Sequence, residues 1–312
     1  MIIAGERGVW DAAMEQPLLG RHGSAPADLL RHVGAVNAAS GMGAARAAVV
    51  GADFLADVLG AIAELPEALT ARLHASFLGV YFTHALGSSA ITDIVVTPEG
   101  EFLGVVIALD VDAFLLRRAN EWFSWRENTP FRAAPGYALE ARIAEDARDD
   151  RCAAIQFLLL HEFGHVLAAG RRFLPDWWIG AEHFLAREDY VFLPLSWDLT
   201  EDGRIVALAE NDFALRARIV YYAAPQIEGA AMAEVYRALR QTSFPTLYAS
   251  TTVYEDFAES FACYVHTVLL GKPFAVRIRH HGELVLDWEL DWRGARLAGK
   301  YALFERFLGA RT

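Results

Sequence analysis

The segment from Leu158 to Gly170 of this 312-residue chain, LLLHEFGHVLAAG, sets two histidines and a glutamate inside an otherwise apolar run. From Arg151 to Ala169 the pattern is apolar nearly all round, which predicts a helix buried on every side and ended by Gly170, with Arg171 and Arg172 behind it. A buried carboxyl is costly unless compensated, and buried imidazoles must stay neutral and still find hydrogen bonds. The fold therefore has to satisfy three polar side chains inside its core, and a dication satisfies all of them together.

His161-Glu162-Phe163-Gly164-His165 has the spacing H-E-x-x-H. Residues four apart on a helix share one face, so both imidazoles can reach a single ion at about 2.0–2.1 Å each. Glu162 projects about 100° round from His161, where it can act as general base on a metal-activated water instead of binding the metal. The competing account is a structural histidine pair satisfied by hydrogen bonds.

A catalytic zinc needs a third protein ligand and an open fourth position. The candidates lie in LYASTTVYEDFAESFACYVH, from Leu247 to His266. A second buried helix is expected from Val253 to Leu270, with Thr252 as N-cap and Gly271 then Pro273 as the stop. Glu255 and Glu259, four apart, point the same way: Glu255 can be the ligand, and Glu259 can accept the outward ring N–H of a ligating histidine. Two alternatives stay open here. Thr252 to Glu255 is also a capping box, which would turn Glu255 back on the N-cap amide, and Glu259 can be a solvated helix position. The flanking Phe257, Ala258, Phe261 and Ala262 argue for burial and so for ligation.

HEFGH followed by Y-A-S-T-T-V-Y-E-D-F-A-E-S-F resembles the gluzincin metallopeptidases related to the catalytic domain of anthrax lethal factor, and the Mlc titration factor A peptidases. In those families a tyrosine stands seven residues before the ligand glutamate and an E-x-F-A segment follows. Tyr248 and Glu255-Asp256-Phe257-Ala258 keep that arrangement, and Glu259 matches the acidic residue four after the ligand in the lethal factor type. The resemblance covers two short blocks. It implies one zinc ion held by His161, His165 and Glu255, with Glu162 as base and Tyr248 as hydroxyl donor to the oxyanion. Two departures stand out: 94 residues separate His161 from Glu255, longer than in these relatives, and Asp256 replaces the usual apolar residue. An insertion around Trp177 to Arg218 is expected to shape or cover the cleft. For Tyr248 a core aromatic remains the alternative.

The remainder of the chain reads as α+β. The Ala-rich stretch from Pro26 to Leu73 is helical in pattern, and FLGVYFT, ITDIVVT and FLGVVIALD are strands, the last two flanking a Pro98-Glu99-Gly100 hairpin turn. Short strand-like pieces are expected around Tyr190 to Trp197 and Arg204 to Leu208, then a helix from Ala230 to Gln241, a terminal hairpin and a last helix. The expected organisation is a helical N-terminal region, 1–74, and a zincin-like catalytic domain, 75–312, with the insertion around 171–229. A small mixed sheet would pack on the two buried helices, and Leu103 to Asp110 would offer an edge for a substrate strand.

A net charge of −12 without a basic patch argues against nucleic acid or an anionic membrane as partner, leaving a peptide or protein substrate. No run reaches a membrane span and no signal segment is evident, so a cytoplasmic location is expected. Cys152 and Cys263 are expected to be reduced core residues. Only two of the 28 basic residues are lysines, Lys272 and Lys300, which reads as codon bias. His183, His266, His280 and His281 lack a partner at ligand spacing, while Trp177, Trp178 and Trp197 are candidates for a cleft wall or for core packing. The leading reading is a zinc peptidase. A zincin-like binding module that sequesters a regulatory protein is the alternative, and the intact base and Tyr248 favour the enzyme because a binder needs neither. A purely structural zinc is disfavoured, since neither cysteine has ligand spacing.

Overall fold

A computed structural model describes residues 1–309. In chain order it contains β1 (Ile2–Ile3), α1 (Arg7–Glu15), β2 (His22–Ser24), α2 (Ala27–Ala39), β3 (Arg46–Ala47), α3 (Ala52–Ala63), α4 (Glu67–Leu73), β4 (Phe77–His84), β5 (Ala90–Val96) and β6 (Phe102–Asp110). Next come α5 (Ala119–Asn128), β7 (Phe131–Arg132), β8 (Tyr137–Arg142) and α6 (Arg151–Ala168). The rest comprises β9 (Trp197–Leu199), β10 (Ile205–Ala207), β11 (Ile227–Glu228), α7 (Met232–Leu239), α8 (Val253–Tyr264), β12 (Ala275–His280), β13 (Glu283–Glu289) and α9 (Ala298–Leu308). The architecture is α+β, as the order of strand and helix patterns anticipates. No helix among the described residues is long and apolar enough to cross a membrane.

The chain divides into two compact units, Met1–Arg118 with Asp150–Ala169, and Ala119–Asp149 with Gly170–Thr312. This differs from the expected boundary at 74/75. Residues 1–74 do hold four helices, but β1, β2 and β3 join the same sheet as β4 to β6. Strands of two or three residues are too short to leave an alternating pattern, so their pairing is invisible to periodicity.

In the first unit the sheet runs β1-β5-β6-β4-β2, with β3 also on β4. It is mixed: β5 and β6 form the antiparallel hairpin predicted around Pro98-Glu99-Gly100, whereas β4 pairs parallel with β6 and β2. The expectation that Leu103 to Asp110 forms an edge is wrong. That strand is β6, hydrogen-bonded on both sides, and its run of buried Val105 to Leu109 is the signature of an interior strand. The open edge lies on β5. There β1 covers only Val95 and Val96, so Ala90 to Ile94 has no strand on its outer side among the described residues.

Helix α6 forms where the sequence predicts. Asp150 caps it, its carboxylate accepting from the Ala153 N–H at 2.8 Å, and Gly170 at φ +68° supplies the left-handed residue that ends it. Within the unit, Gln156 Nε2 donates to Ala61 O at the end of α3 (3.1 Å), and Phe163 meets Phe77 of β4 edge to face at 5.2 Å. These contacts set the rotation of the helix about its axis.

In the second unit β8, β12 and β13 form an antiparallel sheet, with β12 central. The β12–β13 turn at His281 and Gly282 takes positive φ at both residues, so the expected turn is present. The expected strand around Tyr190 to Trp197 is instead a pair of 3-10 turns, Arg187–Asp189 and Leu193–Leu195, and strand begins only at Trp197. Pro194 has no N–H to give a ladder. Helix α8 starts at Val253 with Thr252 Oγ1 accepting from Glu255 N–H at 3.2 Å, continues as a π turn through Leu269, and stops at Gly271. Phe257 of α8 packs on Phe173, Phe192 and Phe304, which anchors it in an aromatic core.

Candidate functional site

In the first unit, the i, i+4 geometry of α6 brings His161 and His165 together, their Nε2 atoms 3.2 Å apart. His161 is buried and His165 half-buried. Two nitrogens bound at about 2.0–2.1 Å to one tetrahedral zinc are separated by about 3.3 Å. The pair thus already stands at the spacing two such ligands need. Both present the same ring nitrogen, Nε2, to the other.

Glu162 points elsewhere, as its azimuth requires. It is buried, and its Oε2 accepts a 2.6 Å hydrogen bond from Thr92 Oγ1 of β5. One carboxylate oxygen is held by the sheet, which restricts the side chain to few rotamers. Thr92 was not foreseen, because no local pattern ties a strand residue to a helix 70 positions away.

In the second unit, Glu255 occupies the first turn of α8, half-buried. Glu259, one turn on, is fully buried, which removes the solvated-position alternative. Both of its oxygens are gripped by one guanidinium: Arg126 Nη1 donates to Oε1 at 3.0 Å and Nη2 to Oε2 at 2.9 Å. The same Arg126 donates through Nε and Nη2 to Glu127 Oε1, at 3.2 and 3.1 Å. Glu127 Oε2 in turn accepts from Tyr236 Oη at 2.6 Å and Tyr221 Oη at 3.3 Å. Burial raises the pKa of Glu127, partly offset by Arg126, and pushes the Tyr236 phenol well up, reinforced by Glu127. Burial alone would lower that of Arg126, but Glu259 and Glu127 hold it well above its ordinary value.

Tyr248 sits in a 3-10 turn just before α8, half-buried, its ring centroid 4.5 Å from that of Tyr221. The Arg126 guanidinium carbon lies 5.5 Å from the Tyr248 ring centroid. Sequence reasoning missed Arg126, although a signal existed: it falls four after Trp122 and three after Phe123, on the apolar face of α5, and those rings lie 5.7 and 4.5 Å from its guanidinium.

Asp256 is fully buried, and the residues that satisfy it explain its presence. Its Oδ1 accepts from Lys300 Nζ at 2.5 Å and Ser260 Oγ at 3.1 Å, and its Oδ2 from Trp197 Nε1 at 2.9 Å. Burial pushes the Asp256 pKa up and the Lys300 pKa down, each opposed by its partner. Trp197 is thereby a core residue. Trp177 and Trp178 are half-buried and meet edge to face, Trp177 also facing Tyr254.

His266 and His280 take structural places. His266 is buried, and its Nε2 donates to the carbonyls of Ile143 (2.9 Å) and Pro273 (3.0 Å). His280 stacks on Tyr137 at 4.2 Å, and the His183 side chain is exposed. Both cysteines are thiols, Cys263 buried and Cys152 half-buried. No family model, curated protein or solved structure matches the chain.

Proposed function

We propose that this chain is a zinc-dependent peptidase of the gluzincin type with a zincin-like fold, its metal held by His161, His165 and Glu255, the ligand set that the sequence resemblance implies. The observation that carries the reading is the 3.2 Å approach of the two Nε2 atoms on a buried helix whose intervening glutamate is turned to a different partner. The chemistry of the donor set, two imidazoles and a carboxylate, fits zinc with one position open.

When bound, such an ion acidifies a water and polarises a carbonyl. The chain's own residues do the rest. Glu162, steadied at one oxygen by Thr92, takes the proton of the attacking water with its other oxygen and passes it to the leaving nitrogen. Tyr248 donates its hydroxyl hydrogen bond to the oxyanion as it develops. Substrate adds as an antiparallel strand along Ala90 to Ile94 of β5, the open edge, and the strand that presents this edge is the one whose Thr92 holds the base.

The test is metal analysis of protein purified without added zinc, followed by cleavage of casein and a panel of peptides with and without chelator. One equivalent of zinc, chelator-sensitive cleavage, and loss of turnover in Glu162→Gln with zinc retained are expected. Absence of any stoichiometric divalent metal, or unchanged turnover in Glu162→Gln, would refute the reading.

A further inference from the structure

Arg126, Glu127 and Glu259 are all essentially excluded from water, at 1%, 1% and 0% exposure. A buried ionic cluster of this kind is a weak source of stability, because the desolvation of three ionisable groups offsets much of their attraction and an apolar replacement often does as well. Its geometry is nevertheless fully specified. Arg126 makes a bidentate fork to Glu259 and a second, two-point contact to Glu127, and Glu127 is closed off by two tyrosine hydroxyls. Planar two-point contacts of this type fix orientation as well as distance.

One member of the cluster, Glu259, belongs to the proposed centre, and Arg126 stands against a second residue of it, Tyr248. Glu259 lies on the same face of α8 as Glu255, one turn later, and its carboxylate is held by the Arg126 fork. The guanidinium also lies 5.5 Å from the ring centroid of Tyr248, and Tyr221, which donates to Glu127, packs its ring 4.5 Å from that of Tyr248. One residue thus holds the Glu259 carboxylate and stands against the Tyr248 ring.

We propose that Arg126 is a positioning residue of this centre: by holding Glu259 in a bidentate pair and bracing the Tyr248 ring, it fixes the angle at which the metal-side acid and the oxyanion donor are presented. The proposal rests on the zinc-peptidase reading above. Its signature is twofold, a weaker hold on the metal through Glu259 and slower turnover through Tyr248, with substrate binding unaffected.

The experiment compares wild-type protein, Arg126→Met, Arg126→Lys, Tyr248→Phe and the Arg126→Met/Tyr248→Phe double variant. Zinc affinity is measured by competition with a chromophoric chelator, kcat and KM on one peptide, and folding by circular dichroism. Arg126→Met is expected to weaken zinc binding about 10–100-fold, as loss of an outer partner does, and to lower kcat at unchanged KM. Arg126→Lys, a point charge without the fork, is expected to recover part of both. The kcat cost of Arg126→Met is expected to shrink about tenfold in the Tyr248→Phe background, whereas a merely structural residue gives additive effects. A folded Arg126→Met with wild-type zinc affinity and kcat, or full additivity with Tyr248→Phe, would overturn the role of Arg126 alone. If Arg126→Met does not fold, Arg126→Lys decides the matter: zinc affinity and kcat equal to wild type would overturn the proposal. Wild-type protein that binds no zinc would overturn the underlying reading and this role together.

Discussion

Thr92 Oγ1 donates a 2.6 Å hydrogen bond to Glu162 Oε2, joining the middle of a sheet strand to the acid of the H-E-x-x-H helix. The bond ties one carboxylate oxygen to the strand and so limits how the Glu162 side chain can turn. Thr92→Val keeps the β-branched shape and removes only this donor. The expected outcome is a fall in kcat of about 10–100-fold, the size of a lost hydrogen bond to a charged group, with zinc content unchanged. Steady-state kinetics beside metal analysis check it.

Glu255→Gln replaces the proposed anionic ligand by a neutral side chain of the same size, on a helix start already secured by Thr252. The fold is expected to survive while zinc affinity falls by more than the roughly 10–100-fold typical of outer partners. Chelator competition measures the affinity, and near-wild-type affinity would remove Glu255 from the ligand set.

Lys300→Met leaves the Asp256 carboxylate fully buried with, among the described residues, only Trp197 and Ser260 to satisfy it. Breaking a buried pair on one side costs about 3–5 kcal/mol, whereas removing both charges is far milder. Urea denaturation is expected to show a large drop for Lys300→Met and recovery of most of it in Lys300→Met/Asp256→Leu.

His266 gives the fold an acid limit. Burial lowers its pKa from 6.5 to about 4, although the carbonyls of Pro273 and Ile143 oppose the shift. The folded state therefore requires the neutral ring: its contribution is complete above pH 6.5, shrinks as pH falls, and is gone once pH passes below about 4. The difference corresponds to on the order of 3 kcal/mol. In urea titrations from pH 7 to pH 4, His266→Gln is expected to flatten this part of the stability loss, and an unchanged pH slope would exclude His266 as its source.

What the chain determined without reference to its fold was, in the main, what acts over a turn or less. The spacing of His161 and His165 places two ring nitrogens side by side, Asp150 and Thr252 start their helices, Gly170 and Gly271 stop them, and Pro98-Glu99-Gly100 closes a hairpin. These follow from helix periodicity and from the φ that glycine and proline allow, and both are written in neighbouring residues. Tertiary structure alone decided that Leu103 to Asp110 is interior and Ala90 to Ile94 open, because strand order depends on which segments fold back on which. It alone paired Thr92 with Glu162, Lys300 with Asp256 and Arg126 with Glu259, over 70, 44 and 133 residues. A buried charge announces in sequence that a partner must exist, but the partner's identity is settled only when distant chain segments close on one another.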